Sequence, residues 1–219
     1  MKLLIIFNLL FSTTVFAKTN LLIGTVNYPP YFTFKNDIVD GKLTELINKK
    51  LSTKYQITWK EIPLARGTYA LNKGLIDIYV AYTKASGVDR NVQFSTKPYY
   101  SIQPIICSND LKTNFSVKKI KKSKIIYPTG AGSTEVLNNK ENIFTYMSYS
   151  EDYSKRAFKM IKFKRADYVL FPENENYKNR TEEFKEANCK NIGKKLNLYL
   201  SSKKSNPILK TIEKDFFKN

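Results

Sequence analysis

The fold is decided by residues 76–100. They read Ile-Asp-Ile-Tyr-Val-Ala-Tyr-Thr at 76–83, continue through a polar loop that contains Arg90, and end with Val-Gln-Phe-Ser-Thr-Lys-Pro-Tyr-Tyr at 92–100. A short apolar, β-branched run that begins just after Gly74 and ends at a Ser/Gly/Asp loop predicts a buried strand. The end of that strand therefore opens into the loop.

This loop is a candidate ligand-binding segment, because parallel α/β sheets bind ligands outside the carboxyl ends of their strands. Thr83 offers a hydroxyl there, and the guanidinium of Arg90 can grip a carboxylate through two charge-assisted hydrogen bonds. The alternative is that Arg90 is a solvated loop residue, paired with Asp89 or with nothing.

The segments before this strand predict a parallel sheet. An apolar run at 20–26 predicts a first strand, and helical spacing of Leu43, Leu46, Ile47 and Leu51 predicts a helix with one buried face. Residues 55–62 alternate as a half-buried strand does, and a second helix is predicted from Pro63 to Gly74. This βαβαβ order implies parallel strands joined by crossover helices.

The second half of the chain restarts the same pattern. Strands are predicted at 124–127 and 144–147, and a helix carries Tyr153, Ala157, Met160 and Ile161 on one face. Residues 164–171 then repeat the motif of residues 73–80: a helix end, an aspartate and an apolar strand. A last strand at 196–200 and a last helix with Ile208, Ile212 and Phe216 on one face close the chain. A domain crossing is predicted near the extended, proline-containing segment 102–107.

Other candidate ligand contacts each have a plainer alternative. Two prolines hold Tyr28 and Tyr31 on a rigid turn, where they form either a ligand wall or ordinary packing. Arg66 is either surface or has a specific anionic partner. The turn Gly132-Ser133-Thr134 either presents amides and hydroxyls to an anion or simply caps a helix. Glu173 either holds an ammonium group or is a loop acid.

Composition excludes several functional classes. The 219 residues include 37 Lys and Arg, 19 Asp and Glu and no His, for a formal charge of +18. Without His, Ser-His or Cys-His catalysis and imidazole-based zinc sites are impossible. The basic excess has no nucleic-acid-binding signature beside it, so we expect no nucleic-acid partner. We also expect no cofactor and no metal.

The first 17 residues match a secretory signal peptide, with a positive start, a short apolar core and small residues before a cleavage site after Ala17. Export makes a disulfide between Cys107 and Cys189 the simplest use of two cysteines, although two free buried thiols stay open. We expect a periplasmic or secreted product.

These features resemble the extracellular solute-binding proteins of family 3, the type 2 periplasmic-binding fold that serves polar amino-acid uptake. The residues that carry the resemblance follow one another in the family's order: Tyr28-Pro29-Pro30-Tyr31-Phe32, Asp40-Gly41, Arg66, Leu71, Gly74, Ile76-Asp77, Thr83, Arg90, Phe94-Ser95, Pro98-Tyr99, Gly132-Ser133-Thr134 and Arg165-Ala166-Asp167. Arg90 stands closer to Phe94 than is usual in that family.

The resemblance implies an α/β fold of two lobes, each a mostly parallel sheet flanked by helices, joined by two hinge strands. Lobe one is expected at 18–104 plus 202–219, and lobe two at 105–201. Arg90 would bind the ligand carboxylate, and Thr83 would add a hydroxyl. The turn Gly132, Ser133 and Thr134 would offer amides and hydroxyls from lobe two, and Tyr28 or Tyr31 would be the aromatic contact. Glu173 would bind the ligand amine.

The function so implied is capture of a polar amino acid or a similar small carboxylate by a monomer. Its partner would be the permease of an ABC transporter or a sensor. Two other functions stay open: an enzyme on the same fold using Glu173, and a basic secreted protein that binds anionic surfaces.

Overall fold

The structure is a computed structural model that describes residues 18–36, 38–84, 89–108, 120, 122–128, 143–147, 153–171, 187–191 and 195–218. The predicted signal peptide, residues 1–17, lies outside these residues. Within the described part the strands are β1 Thr19–Thr25, β2 Thr33–Lys35, β3 Ile38–Asp40, β4 Tyr55–Glu61, β5 Ile78–Tyr82, β6 Val92–Phe94, β7 Tyr100–Ile102, β8 Ile105–Ser108, β9 Lys124–Pro128, β10 Ile143–Met147, β11 Tyr168–Phe171, β12 Asn188–Asn191 and β13 Leu196–Lys203. The helices are α1 Lys42–Leu51, α2 Gly67–Asn72 after a 3₁₀ turn at Leu64–Arg66, α3 Tyr153–Lys162 and α4 Ile208–Phe216.

The strands form two main sheets of the same design. The first has the order β4-β1-β5-β13-β6, with β7 also paired to β13, and the second has the order β10-β9-β11-β8-β12. In the first sheet β4, β1 and β5 are parallel and β13 is antiparallel to its partners. In the second sheet β10, β9 and β11 are parallel, and β8 is the antiparallel strand. The predicted mixed α/β fold with mostly parallel sheets is confirmed.

The chain crosses between the sheets twice. Strand β7 pairs in the first sheet and β8 in the second, so residues 103–104 make the outward crossing. Strand β12 pairs in the second sheet and β13 in the first, so the return falls between Asn191 and Leu196. The lobe boundaries stay a prediction, but this pairing favours a return to lobe one before Leu196 rather than at residue 202.

Helices cover the sheets with the faces that their apolar spacing predicts. On α1, Leu43, Ile47 and Leu51 are buried, and on α4, Ile212 and Phe216 are buried. On the other face of the first sheet, α2 packs Ala70 and Leu71 into a second apolar cluster with Ile76, Tyr79 and Tyr82. In the second half, α3 buries Tyr153, Ala157, Phe158 and Ile161.

In each half, an aspartate bonds to the backbone of a neighbouring parallel strand. The amide of Leu22 donates to the Asp77 carboxylate at 2.9 Å, and the Asp77 amide donates back to the Leu22 carbonyl at 2.9 Å. Lys124 and Asp167 make the same reciprocal pair, at 2.7 and 2.9 Å. The two halves are therefore alike in their hydrogen bonds as well as in their sequence motif.

The helices before these aspartates end in the same way. After α2, the amides of Gly74 and Leu75 donate to the carbonyls of Leu71 and Ala70. After α3, the amides of Lys164 and Arg165 donate to Ile161 and Met160 in the same spacing. This Schellman arrangement needs a left-handed residue, which is Gly74 at φ 68° in one half and Lys164 at φ 55° in the other.

A disulfide joins β8 and β12, the two strands of the second sheet that lie next to the crossings in sequence. Cys107 on β8 and Cys189 on β12 are directly opposite each other and bonded, across a sequence separation of 82 residues. The covalent loop between them contains β9, β10, α3 and β11. Most of the second half is thus enclosed by one covalent ring.

We expect Lys164→Gly to raise the free energy of unfolding by about 0.5–1 kcal/mol, because glycine adopts the left-handed conformation without the steric penalty of a Cβ. The reciprocal change Gly74→Lys should lower it by about 1 kcal/mol. No atom lies within 4 Å of a Cβ built at Gly74, so conformation rather than a clash sets this cost.

Urea unfolding measures these changes, and Lys162→Gly in the last turn of α3 is the matched control. That control should lose about 1 kcal/mol, since glycine is unfavourable inside a helix. A Lys164→Gly variant as destabilised as the control would contradict a left-handed residue at position 164.

We expect the double variant Cys107→Ala, Cys189→Ala to lose about 4 kcal/mol of unfolding free energy, because the disulfide restricts the unfolded chain over a long loop. Guanidinium unfolding with and without reductant measures this loss. The parent protein should fall to the level of the variant when reduced, and the variant should not respond. Equal stability of the two proteins without reductant would contradict the expectation.

Candidate functional site

At one end of the first sheet, the strand ends lie next to the two crossings. Strands β1 and β5 are parallel and end at this edge, and the antiparallel strand β13 begins there beside the end of β7. The sheet edge defined by residues 26–28, 82–84, 102 and 196–199 is called the crossover edge below. Because the carboxyl ends of parallel strands meet here, next to the passage into the second sheet, it is where a ligand site is expected.

The aromatic turn after β1 is packed at this edge. Tyr28 and Phe32 bond to each other through both backbone amides, at 2.7 and 3.0 Å, and the ring of Tyr31 lies 5.2 Å from that of Tyr28. Tyr31 is 1% exposed and also contacts Tyr100 edge-on at 5.6 Å. Of the predicted aromatic wall, Tyr31 is therefore a packing residue, and Tyr28, also buried, lies where β1 reaches the edge.

Tyr82, which the sequence analysis did not single out, forms hydrogen bonds with the backbone at the start of α2. Its hydroxyl accepts from the Thr68 amide at 2.7 Å and donates to the Leu64 carbonyl at 2.9 Å. Burial raises the pKa of Tyr82, so the hydroxyl stays protonated and keeps donating. A Cβ at Gly67 would lie 2.5 Å from the Tyr82 oxygen, so the close approach requires glycine there.

Three polar or charged residues lie near Tyr82 and the start of α2. Thr83 follows β5 and is half-buried, and Arg66 is exposed in the 3₁₀ turn just before α2. Lys84, which sequence reasoning also missed, holds its Nζ 4.3 Å from the centre of the Tyr199 ring. Lys84 and Tyr199 are far apart in sequence, and no local pattern could have joined them.

Arg90 is not at the crossover edge. It lies in a turn in which the Val92 amide donates to the Asp89 carbonyl at 3.0 Å. Val92 pairs with Lys203, at the end of β13 furthest from the crossings. The side chain of Asp89 accepts from Asn72, the last residue of α2.

The register of β13 gives the size of this displacement. Ser201 pairs with Tyr79, so Lys203 is level with Asp77, six residues before Thr83 along the sheet. At about 3.3 Å per residue this is roughly 20 Å, longer than an extended arginine side chain. The predicted role of Arg90 beside Thr83 is therefore corrected: Arg90 is an exposed residue at a surface turn.

The remaining predicted contacts lie outside the described residues. These are Gly132, Ser133 and Thr134 of the second-half turn, and Glu173 after β11. Among the residues that are described, no three His, Cys, Asp or Glu side chains come together as a metal site. In the same part of the chain, no helix has the length and apolar character needed to cross a bilayer.

Comparisons with known proteins give likeness in structure rather than in sequence. No protein-family model matches the chain, and no curated protein matches it. An ancestral arginine-binding protein bound to arginine superposes with a TM-score of 0.65 at 21% identity, over 91% of each chain. The truncated, arginine-bound form of ArgBP from T. maritima gives 0.69 at 15% identity, over 90% of this chain and 94% of that one.

A substrate-binding protein of an ABC uptake transporter from Streptococcus pneumoniae, with bound histidine, gives a TM-score of 0.70 at 16% identity. The match covers 90% of this chain and 85% of that one. Identities this low show shared architecture, and the coverage shows that it extends over about nine-tenths of this chain. The protein therefore has the fold of the periplasmic amino-acid-binding proteins.

Proposed function

We propose that the protein captures a polar amino acid, or a similar small carboxylate-bearing solute, outside the cytoplasm and delivers it for ABC-type uptake. The observation that carries this is the pair of like sheets joined by two crossings, in a chain that matches amino-acid-binding proteins over 90% of its length. Two sheets joined through short segments can close on a small solute and open to release it.

The mechanism follows from that connectivity. A solute that contacts both sheets binds the closed state better than the open one, and so shifts the population toward closure. The outward segment is only two residues long, between Ile102 and Ile105, and both flanking isoleucines are buried. Rotation of one half against the other would therefore involve residues 103–104.

Several finer features belong to the same proposal. A signal peptide ending at Ala17 would send the protein to the periplasm or the medium, and a membrane permease or a sensor would receive the loaded form. The family would be solute-binding protein family 3, with lobe one formed by both ends of the chain. The working unit would be a monomer that is not an enzyme.

Within the described residues, the first-half contacts best placed for the solute are Tyr28, Thr83 and Arg66. All three lie at or beside the crossover edge, and Thr83 follows β5 directly. From the second half we propose Gly132, Ser133 and Thr134 as anion contacts and Glu173 as the partner of an amine, on their sequence positions after predicted strands.

We expect at least one of the twenty amino acids to raise the melting temperature. A ligand present at 100 times its dissociation constant adds about 2.7 kcal/mol to the stability of the native state. For a chain of this size that corresponds to roughly 5–10 °C. Differential scanning fluorimetry with each amino acid, with the salt concentration held constant, measures the shift.

The mirror-image D-amino acid is the control for any hit, because a built site distinguishes enantiomers and a non-specific salt effect does not. A flat response to all twenty, from protein whose circular dichroism shows a folded α/β chain, would contradict the proposed function.

A further inference from the structure

Lys84 is the cation that the fold brings to the crossover edge in place of Arg90. It follows Thr83 directly, is exposed, and holds its ammonium group 4.3 Å from the ring centre of Tyr199. Tyr199 pairs with Tyr82 across the two strands, and directly opposite residues point to the same face of a sheet. Lys84, Tyr199 and Tyr82 therefore share one face, beside the start of α2.

The ammonium of Lys84 is held in place by this contact. Cation–π attraction keeps it over the ring, and the ring is itself fixed edge-on by Phe94 at 6.2 Å. An ammonium over an aromatic face keeps N–H groups on its outer side free to donate. Such a group is suited to bind an anion without first being ordered.

The same contact occupies an aromatic surface that a cationic ligand would otherwise use. A guanidinium or ammonium group on a solute binds well over a tyrosine ring. Here the ring of Tyr199 already carries Lys84. A basic solute would meet like charge at this ring.

The other charged groups near the crossover edge also favour an anionic ligand over a cationic one. Arg66 adds a second exposed cation beside α2, and the backbone amide of Thr68 is already bonded to Tyr82. Glu61 is an acid at this end of the sheet, and it lies on the outer strand β4, with β1 between it and β5. An anion here would thus be held by side-chain cations, not by the start of α2.

We propose that Lys84, held over Tyr199, binds the carboxylate of the solute, and that the solute carries more carboxylate than ammonium groups. This rests on the proposed function, since it names the solute class of that same site. The basic amino acid arginine, which the two arginine-bound neighbours described above hold, is then a poor ligand for this chain.

The test is isothermal titration of the purified protein with L-glutamate, L-glutamine and L-arginine, on the parent and on three variants. The variants are Lys84→Met, Lys84→Arg and Arg90→Ala. Arg90→Ala is the matched control, because it removes the same charge at the opposite edge of the sheet. Circular dichroism and melting temperature without ligand verify that each variant is folded.

We expect the parent to prefer glutamate and to bind arginine most weakly. Lys84→Met should weaken glutamate binding by about tenfold to a hundredfold, the range for losing a hydrogen bond to a charged group. Lys84→Arg should restore most of that loss, and Arg90→Ala should leave the affinity within about twofold of the parent, as a distant exposed charge does.

The outcomes separate the two proposals. If the parent binds arginine more tightly than glutamate, or if Lys84→Met binds glutamate like the parent, the inference is overturned while solute capture stands. Equal losses in Lys84→Met and Arg90→Ala would also overturn it. If none of the twenty amino acids binds to the folded parent, the proposed function fails and the inference fails with it, whereas binding of another amino acid without binding of glutamate overturns the inference alone.

Discussion

The hydrogen bonds of β13 are the constraint on which the arrangement of the molecule depends. This strand runs antiparallel through the first sheet and pairs with β5, β6 and β7. Ser201 on it, fully buried, adds a side-chain bond to the Tyr79 carbonyl at 2.7 Å. Because β13 starts where β5 ends, the passage from the second sheet is fixed beside the ends of the parallel strands. The same pairing carries β6, and with it Arg90, to the opposite edge.

The two halves reach the same local structure with different residues. Both use an aspartate to bond the backbone of a parallel strand, and both end the helix before that aspartate with a left-handed residue. In the first half that residue is glycine, and in the second it is lysine, which pays the steric cost of a Cβ. Both halves thus keep the same hydrogen-bond pattern, although the residue that adopts the left-handed backbone conformation differs between them.

The sequence predicts well those parts of the structure that depend on neighbouring residues. Helical spacing identified the buried faces of α1 and α3, and the proline between Ile102 and Cys107 marked the outward crossing. Arg90 was misplaced because its position depends on how β6 aligns with β13, and a polar loop contains no signal of that register. The contact between Lys84 and Tyr199 could not be predicted, since it joins segments on either side of the whole second sheet.

The disulfide links the place where the chain has just entered the second half to the place where it is about to return to the first half. The first and last described elements, β1 and α4, both belong to the first half. A peptide bond cut between Cys107 and Cys189 would therefore leave every fragment attached, and the cut would be invisible on an electrophoresis gel run without reductant. The second half is in this sense a covalently closed insertion between β7 and β13.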